Sequence, residues 1–504
     1  MRRRNLLFGI AAATGLSAAG FGYRHWSLRD VIQKGNLSDY KPTEDYDVCI
    51  VGSGPAGCTL ARRLSAEGKR VLILESGVAL TDSLRMQAAM KLDAYTSSGA
   101  LDYPVQSTRI RALGGTSTIW TGRCPRMLPS DFTNNPLAPG GSWPLSYAEL
   151  QPYYRAAEKT LYVAGDKLTE SQAPRNEDLP EKAIMDISQM RALIGPLGIA
   201  IDHPPTSNKR RIFEGAGPLR SDRDQLPSLS RRSNADLLED ATATRVLLDQ
   251  RGLVTGIKVR SVSGGSQEVK AKRYVLAGGG LESTRLLLMS GNEHFPGGVG
   301  NHAGHLGRYF MEHPFVTYKV DMPSMEPFQG WQLGRTYTYS DSLRGKGLGG
   351  MVLAFYGNPK KPRQLKIAIG IEMAPSVGNR IRLDANKVDS FGDPGADVAL
   401  DFSDLDRQLL SAGEEIVQGI IGRLGGENVK KSDTLKWSGH HIGTTRMSVS
   451  AADGVVDPKL RVHGTENLYV LSSSAFVTSG AANPTLTIVA LAHRLADHLL
   501  TLET

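Results

Sequence analysis

Asp47-Val48-Cys49-Ile50-Val51-Gly52-Ser53-Gly54-Pro55-Ala56-Gly57, continued by Cys58-Thr59-Leu60-Ala61-Arg62-Arg63-Leu64, is the stretch that decides the fold. Asp47 to Val51 is a short apolar run of the kind that forms a buried parallel strand. It leads straight into Gly-x-Gly-x-x-Gly, and the residues after it have helical spacing of apolar side chains. Gly68 stops that helix, and Arg70-Val71-Leu72-Ile73-Leu74 reads as a second buried strand ending at Glu75. Gly52, Gly54 and Gly57 allow the tight turn, the close approach of backbone to a pyrophosphate, and the close packing of helix on strand. The helix N-terminus offers N–H groups and partial positive charge to phosphates, and Glu75 can accept from a ribose hydroxyl. Strand, glycine turn, helix, strand and acid in register indicate a dinucleotide site. NAD and FAD proteins share this unit, so it does not choose between them.

The continuation does. The chain next enters a loop-rich stretch containing Arg111-Ala112-Leu113-Gly114-Gly115-Thr116-Ser117-Thr118-Ile119-Trp120-Thr121-Gly122, instead of further strand-helix repeats. The strand pattern returns only at Arg273-Tyr274-Val275-Leu276-Ala277, followed by Gly278-Gly279-Gly280 and a helix through Glu282 to Leu287. Gly-rich turns let a chain pass close to a bulky ligand. A nucleotide domain assembled from distant segments suits an extended FAD better than NAD.

At 504 residues the chain is too long for one ordinary core. A net charge of +8 with no Lys/Arg block interleaved with aromatics gives nucleic-acid binding no specific support. Cys49, Cys58 and Cys124 make neither a disulfide framework nor a zinc pattern, and His302 and His305 lie in a Gly/Asn-rich loop without acidic partners. No metal site is expected. Met1-Arg2-Arg3-Arg4 before the uncharged run Leu6 to Gly22 reads as an export signal of the twin-arginine type over residues 1–30. An uncleaved anchor is the alternative. Either places the body of the protein in the periplasm or on the outer face of the cytoplasmic membrane.

Gly52 to Gly57, Glu75, Gly114-Gly115-Thr116-Ser117 and Leu276 to Ser283 continue in order into Gly307-Arg308-Tyr309-Phe310-Met311-Glu312-His313-Pro314. His440 to Met447, and Gly454-Val455-Val456-Asp457 through Asn483-Pro484, complete the series. On these motifs, spread over almost the whole chain after residue 45, the protein resembles the glucose-methanol-choline (GMC) family of FAD-dependent oxidoreductases. Gly141-Ser142-Trp143-Pro144, Tyr153-Tyr154 and the Arg123 segment after Trp120 look most like its bacterial sugar-oxidising branch, which includes pyranose oxidases. The resemblance implies FAD held by Gly52, Gly54, Gly57, Glu75, Gly115, Thr116, Ser117, Pro484 and Thr485. In covalent members of that branch a histidine beside the tryptophan is linked to the flavin. Ile119 stands there in this chain, which implies dissociable FAD.

The expected architecture is therefore a discontinuous α/β FAD-binding Rossmann-like domain from residues 45–127, 232–315 and 437–504. An α+β substrate domain with an antiparallel sheet is expected from 128–231 and 316–436. Helices are expected around Tyr147 to Val163 and Glu181 to Leu197. Residues 315–436 read as alternating strands, including Val316 to Val320, Gly350 to Phe355, Leu365 to Met373, Arg380 to Leu383 and Val398 to Phe402. Trp331 and Tyr337 are candidate pocket aromatics, with core or surface roles the commoner outcome.

Oxidising an alcohol needs a base for the hydroxyl proton, a hydride acceptor, and a group that fixes the carbinol. His440 matches the catalytic histidine of the family's His-x-x-Gly-Thr motif, and His441 is the second candidate. Asn483 precedes Pro484-Thr485-Leu486 and reads as the N-cap of an apolar helix ending near Leu500. In the family the same position carries the second active-site residue, a His or Asn that hydrogen-bonds the substrate oxygen. The helix N-terminus would also offer positive charge to flavin N1 and C2=O. The expected reaction is oxidation of a secondary alcohol of a sugar or glycoside, with hydride passing to flavin N5. A quinone or cytochrome is the expected electron acceptor. A flavin-dependent lyase or an electron-transfer flavoprotein would share Gly52 to Glu75, but neither has a use for both His440 and Asn483.

Overall fold

The computed structural model describes residues 34–35, 37–40, 45–164, 187–207, 218–229 and 231–502. Its central sheet has six parallel strands, in the order Lys34–Gly35, Ala235–Leu238, Val71–Leu74, Val48–Val51, Arg273–Leu276 and Leu468–Val470. Cys49 lies opposite both Leu72 and Tyr274, which fixes the register of the middle strands. Cys49, Ile50, Leu72, Ile73, Leu74, Tyr274 and Val275 are all buried. Continuous apolar runs are what a parallel sheet covered on both faces requires. Each such aliphatic side chain contributes about 1.5–3 kcal/mol by leaving water.

Five helices position the site: α1 (Pro55–Ala66), α2 (Tyr147–Thr160), α3 (Gly279–Met289), α4 (Asp404–Arg423) and α5 (Thr485–Thr501). Leu486, Val489, Ala490, Leu495, Ala496 and Leu499 form the buried stripe of α5, which packs against both α1 and α2. Helix α2 begins with a reciprocal capping box between Ser146 and Glu149.

The second layer is a five-stranded antiparallel sheet in the order Gln332–Thr336, Met351–Asn358, Lys361–Ile371, Phe315–Asp321 and Glu427–Lys431. Helix α4 packs on the strand Lys361–Ile371 through Leu409, Val417, Ile420 and Ile421, which share a core with Met351, Ile367 and Ile369. Smaller sheets extend both layers. In one of them Tyr95–Ser98 pairs parallel with Pro394–Ala399, tying the early chain to the late chain.

The fold is thus α/β with parallel and antiparallel sheets, as expected, with differences in detail. Residues 404–423 form a helix and not strands. Ser403 and Asp406 make a capping box, and Leu409, Val417, Ile420 and Ile421 recur at helical spacing, so the 3.6-residue period overrides the strand pattern around it. Strands also form at Gln332–Thr336 and Glu427–Lys431, which lack an alternating apolar pattern. Asn483 is not the helix cap: Pro484 holds that position and no side chain caps α5. Helices form at Tyr147–Thr160 and Ser188–Ile194, while Glu181 to Asp186 and the N-terminal segment 1–30 lie outside the described residues. Among the described residues no helix is long and apolar enough to cross a membrane.

Candidate active site

A cavity of about 890 Å³ is lined at one end by Gly52 to Ala56, Glu75 and Gly115 to Ser117, and at the other by His440, Asn483 and Arg335. At the first end the glycines divide their work. A Cβ on Gly57 would stand 2.0 Å from the Gly52 carbonyl oxygen, and Gly52 itself has φ +110°. Neither position accepts a side chain. Gly54, by contrast, faces open space and leaves its backbone approachable by a ligand. Ser53 ties the segments together: its Oγ donates to Glu75 Oε2 at 2.6 Å and accepts from the Gly114 N–H at 2.9 Å. Glu75 also accepts from the N–H groups of Ser53 and Gly77. An ionised carboxylate has about four acceptor sites, so one remains for a ribose hydroxyl.

Helices α1, α3 and α5 all start at this cavity, at Gly54, Gly278 and Pro484, and none has a side-chain cap. Their first N–H groups have no intrahelical partner. Three uncapped N-termini around one cavity of this size are a donor set for a large, anionic ligand, and FAD fits it. Gly115 and the exposed Thr116 face the cavity, as do Pro484 and Thr485. The Ser117 hydroxyl is committed inside the protein, donating to the Gly114 carbonyl and accepting from the Ser221 N–H.

At the other end the histidines form a one-way relay. His313 Nε2 lies 2.7 Å from the Gly480 carbonyl oxygen, which can only accept, so Nε2 carries the proton. Burial holds the His313 pKa below its ordinary value, so the ring is neutral and its Nδ1 is bare. That nitrogen lies 2.7 Å from His440 Nδ1, which therefore donates. The consequence is a bare Nε2 on His440. It lies 3.2 Å from Asn483 Nδ2, which donates to it, while Asn483 Oδ1 accepts from Arg335 Nη1 at 3.1 Å. Burial, then the neighbouring His313, His441 and Arg335, hold the His440 pKa well below the usual histidine value. The ring is a neutral acceptor throughout the physiological range, with part of its surface open to the cavity.

His441 is placed differently. Its Nε2 donates to Thr108 Oγ1 at 3.0 Å, because that hydroxyl gives its own proton to the Val105 carbonyl. Its ring packs on Phe310 and Tyr103, and burial lowers its pKa to about 3. Behind both histidines the buried Glu312 carboxylate accepts the backbone N–H groups of His313, Ser438 and His440, fixing the loop that presents His440. Burial pushes its pKa up to about 7, against those donors.

The structure thus brings His440 and Asn483 to one cavity with Gly52, Gly54, Glu75, Gly115, Thr116, Ser117, Pro484 and Thr485; Gly57 does not line it and packs behind, against Gly52. His313 and Arg335 had no roles assigned from the sequence. His313 stands within the Gly307–Pro314 motif, where its adjacency to Glu312 was the available signal. Arg335 lies on the unforeseen strand Gln332–Thr336 and carried none. Trp331 is 55% exposed, and neither it nor Tyr337 lines the cavity; Trp120, Phe315, Tyr356 and Trp437 do. Among the described residues no cluster of His, Cys, Asp and Glu could hold a metal ion.

Two GMC oxidoreductase family models match residues 219–315 and 375–492, and an NAD(P)-binding Rossmann-like domain model matches residues 50–80. The chain is 25% identical to the fructose dehydrogenase large subunit of Gluconobacter japonicus, over 90% of this chain and 97% of that protein. It is 27% identical to paromamine 6'-oxidase of Streptomyces fradiae, over 90% of each. Its fold matches that of formate oxidase from Aspergillus oryzae with a TM-score of 0.66 at 18% identity, covering 92% of this chain and 99% of that one. Carrying both family segments in order around a nucleotide-binding fold, the chain belongs to the GMC oxidoreductases, enzymes whose cofactor is FAD.

Proposed function

We propose that the protein oxidises a secondary alcohol of a sugar or glycoside, with His440 as the base. The observation that carries the reading is the unprotonated, neutral Nε2 of His440 beside an amide donor in the lining of the cavity. FAD, when bound, supplies the hydride acceptor. The chain's own residues do the rest. The substrate hydroxyl takes the place of the direct Asn483–His440 bond: it donates to His440 Nε2 while its oxygen accepts from Asn483 Nδ2, so one alcohol satisfies both groups. As the proton moves to Nε2, His440 Nδ1–H stays bonded to His313, whose own proton is pinned on Gly480. Asn483 cannot act as a base, and Arg335 keeps its Oδ1 turned away from the reacting oxygen. The names of the relatives, among them a fructose dehydrogenase and a C-glycoside 3-oxidase, support a sugar-like substrate.

Ile119, which lines the cavity, supports non-covalent FAD. Acid precipitation of the purified protein is expected to leave all flavin in the supernatant; flavin retained in the pellet contradicts this. Export by the twin-arginine route, and transfer of electrons to a quinone or cytochrome, remain part of the proposal on the strength of the N-terminal sequence. The test of function is anaerobic: a panel of pyranoses and glycosides is mixed with the FAD-loaded protein and the flavin absorbance followed. Bleaching by one or more of them supports sugar oxidation. A flavin that stays oxidised with every sugar but bleaches with simple aliphatic alcohols would move the assignment to those.

A further inference from the structure

The charged groups lining the cavity are distributed unevenly. Near its nucleotide end Arg109 and Arg111 are neutralised by Asp93 and Glu282 at 2.5–3.5 Å, and Arg285 also leans on Glu282. Burial would raise the Glu282 pKa, but Arg111, Arg109 and Arg285 outweigh it and keep the carboxylate ionised. That end is internally balanced.

The substrate end is not. Arg123, Arg335 and Lys436 line it, and among the described residues none of the three forms an ion pair with a carboxylate. Arg335 is 5% exposed, its Nη1 is spent on Asn483, and its Nε is buried without a partner. Arg123 is close enough to Arg335 for the two charges to oppose each other, and Tyr356 sits beside both. Lys366 lies over the Tyr356 ring at 4.7 Å, with Lys319 and Lys436 close by. The acids of the neighbourhood are committed elsewhere: Asp131 and Glu372 to Arg344, Asp202 to Arg191. Two guanidiniums drawn out of water without a counter-ion are costly unless something anionic joins them. A planar fork of N–H donors matches a carboxylate in two-point geometry.

We infer that the substrate is a sugar acid, whose carboxylate is received by Arg123 and Arg335 while its carbinol is held by His440 and Asn483. The inference rests on the proposed alcohol oxidation and narrows it. Because Arg335 is bonded to Asn483 itself, the carboxylate sits close to the reacting carbon, which selects a compact acid over a long glycoside. The lysines around Tyr356 form a basic approach that steers anions inward.

The test compares charged and neutral partners of one skeleton. The FAD-loaded protein is reduced anaerobically with gluconate and glucuronate, with their amides, with glucose, and with glucose 6-phosphate. An acid is expected to exceed its own amide by at least tenfold in kcat/KM. Arg123→Gln is expected to collapse that gap through KM with FAD content unchanged, and Arg123→Lys to restore part of it. Independently of any variant, cyclohexanecarboxylate, which has no carbinol, is expected to perturb the flavin spectrum and compete with substrate, whereas its amide does neither. Equal reduction by acid and amide, unaffected by Arg123→Gln, overturns the inference and leaves the oxidation of sugars standing. Faster reduction by the phosphate ester overturns the carboxylate. If no sugar of any charge bleaches the flavin, the alcohol oxidation falls, and with it the sugar acid; binding of cyclohexanecarboxylate would then show only that the anion pocket exists.

Discussion

At the scale of single residues, direction of donation is what separates His440 from its neighbour. The Gly480 carbonyl sets the His313 proton, His313 sets that of His440, and the lone pair left over accepts from Asn483, the two side chains lining the cavity together. His441 spends its Nε2 proton on Thr108 and its faces on aromatic rings. Because the His440 pKa is depressed, the rate of flavin reduction is expected to stay flat as pH falls from 8 to 6.5 and to decline only well below. Arg335→Gln removes one of the positive charges that depress it, so the decline is expected to move to higher pH in a stopped-flow profile. An unmoved profile would mean that Arg335 does not act on the base. His440 and Asn483 were legible in the sequence because each stands in a spaced motif. Arg335 was not, because its contact with Asn483 joins two segments of unrelated sequence, the strand Gln332–Thr336 and the irregular chain before α5.

At the scale of elements, the start of α5 shows how a correct element can carry an incorrect detail. The helix and its apolar stripe follow directly from the spacing of Leu486, Val489, Leu495 and Leu499. The cap does not, because Asn483 is pulled toward His440 and Arg335 and Pro484 takes the boundary. Replacing a capping Asn by Ala costs about 1 kcal/mol. Asn483→Ala is therefore expected to change stability by less than about 0.5 kcal/mol in denaturant titration, well under that cap cost. It should slow flavin reduction about 10²-fold, the usual effect of losing one preorganised donor. A large loss of stability with an unchanged rate would return Asn483 to the role of a cap. Helix α4 was missed for a different reason: its Ser403–Asp406 capping box and its 3.6-residue period were present, but a run of strands on either side set the reading.

At the scale of the whole molecule, the antiparallel layer and the active site meet at a buried triad. Arg344 pairs with Asp131 and, at 2.9 Å, with Glu372, whose other oxygen accepts from the Gly480 N–H at 3.0 Å and from Asn135. Gly480 in turn holds His313, so the triad supports the His313–His440 pair from behind. One cation cannot satisfy two buried carboxylates equally. Burial and the nearby Glu372 raise the Asp131 pKa to about 7 in spite of Arg344, while Arg344 keeps Glu372 ionised. A carboxyl raised in the folded state stabilises at low pH and loses that contribution as pH rises from about 4 through 7. The fall in Tm between pH 5 and pH 8 is expected to be steeper in the native protein than in Asp131→Asn; equal slopes would contradict a protonated Asp131. Nothing of this triad was legible beforehand. Its members come from residues 131, 344 and 372, and pairing across such distances is set by the packing of the layers, whereas Gly52 to Glu75 is a local unit whose fold follows from adjacent residues.

The central claim is that His440 takes the proton of the alcohol. Its most direct test is the anaerobic rate of flavin reduction by the best substrate in His440→Ala, prepared with the same FAD content as the native protein. A loss of about 10²–10⁴-fold is expected, the range of a lost general base, with the flavin spectrum unchanged. Reduction at the native rate would contradict it.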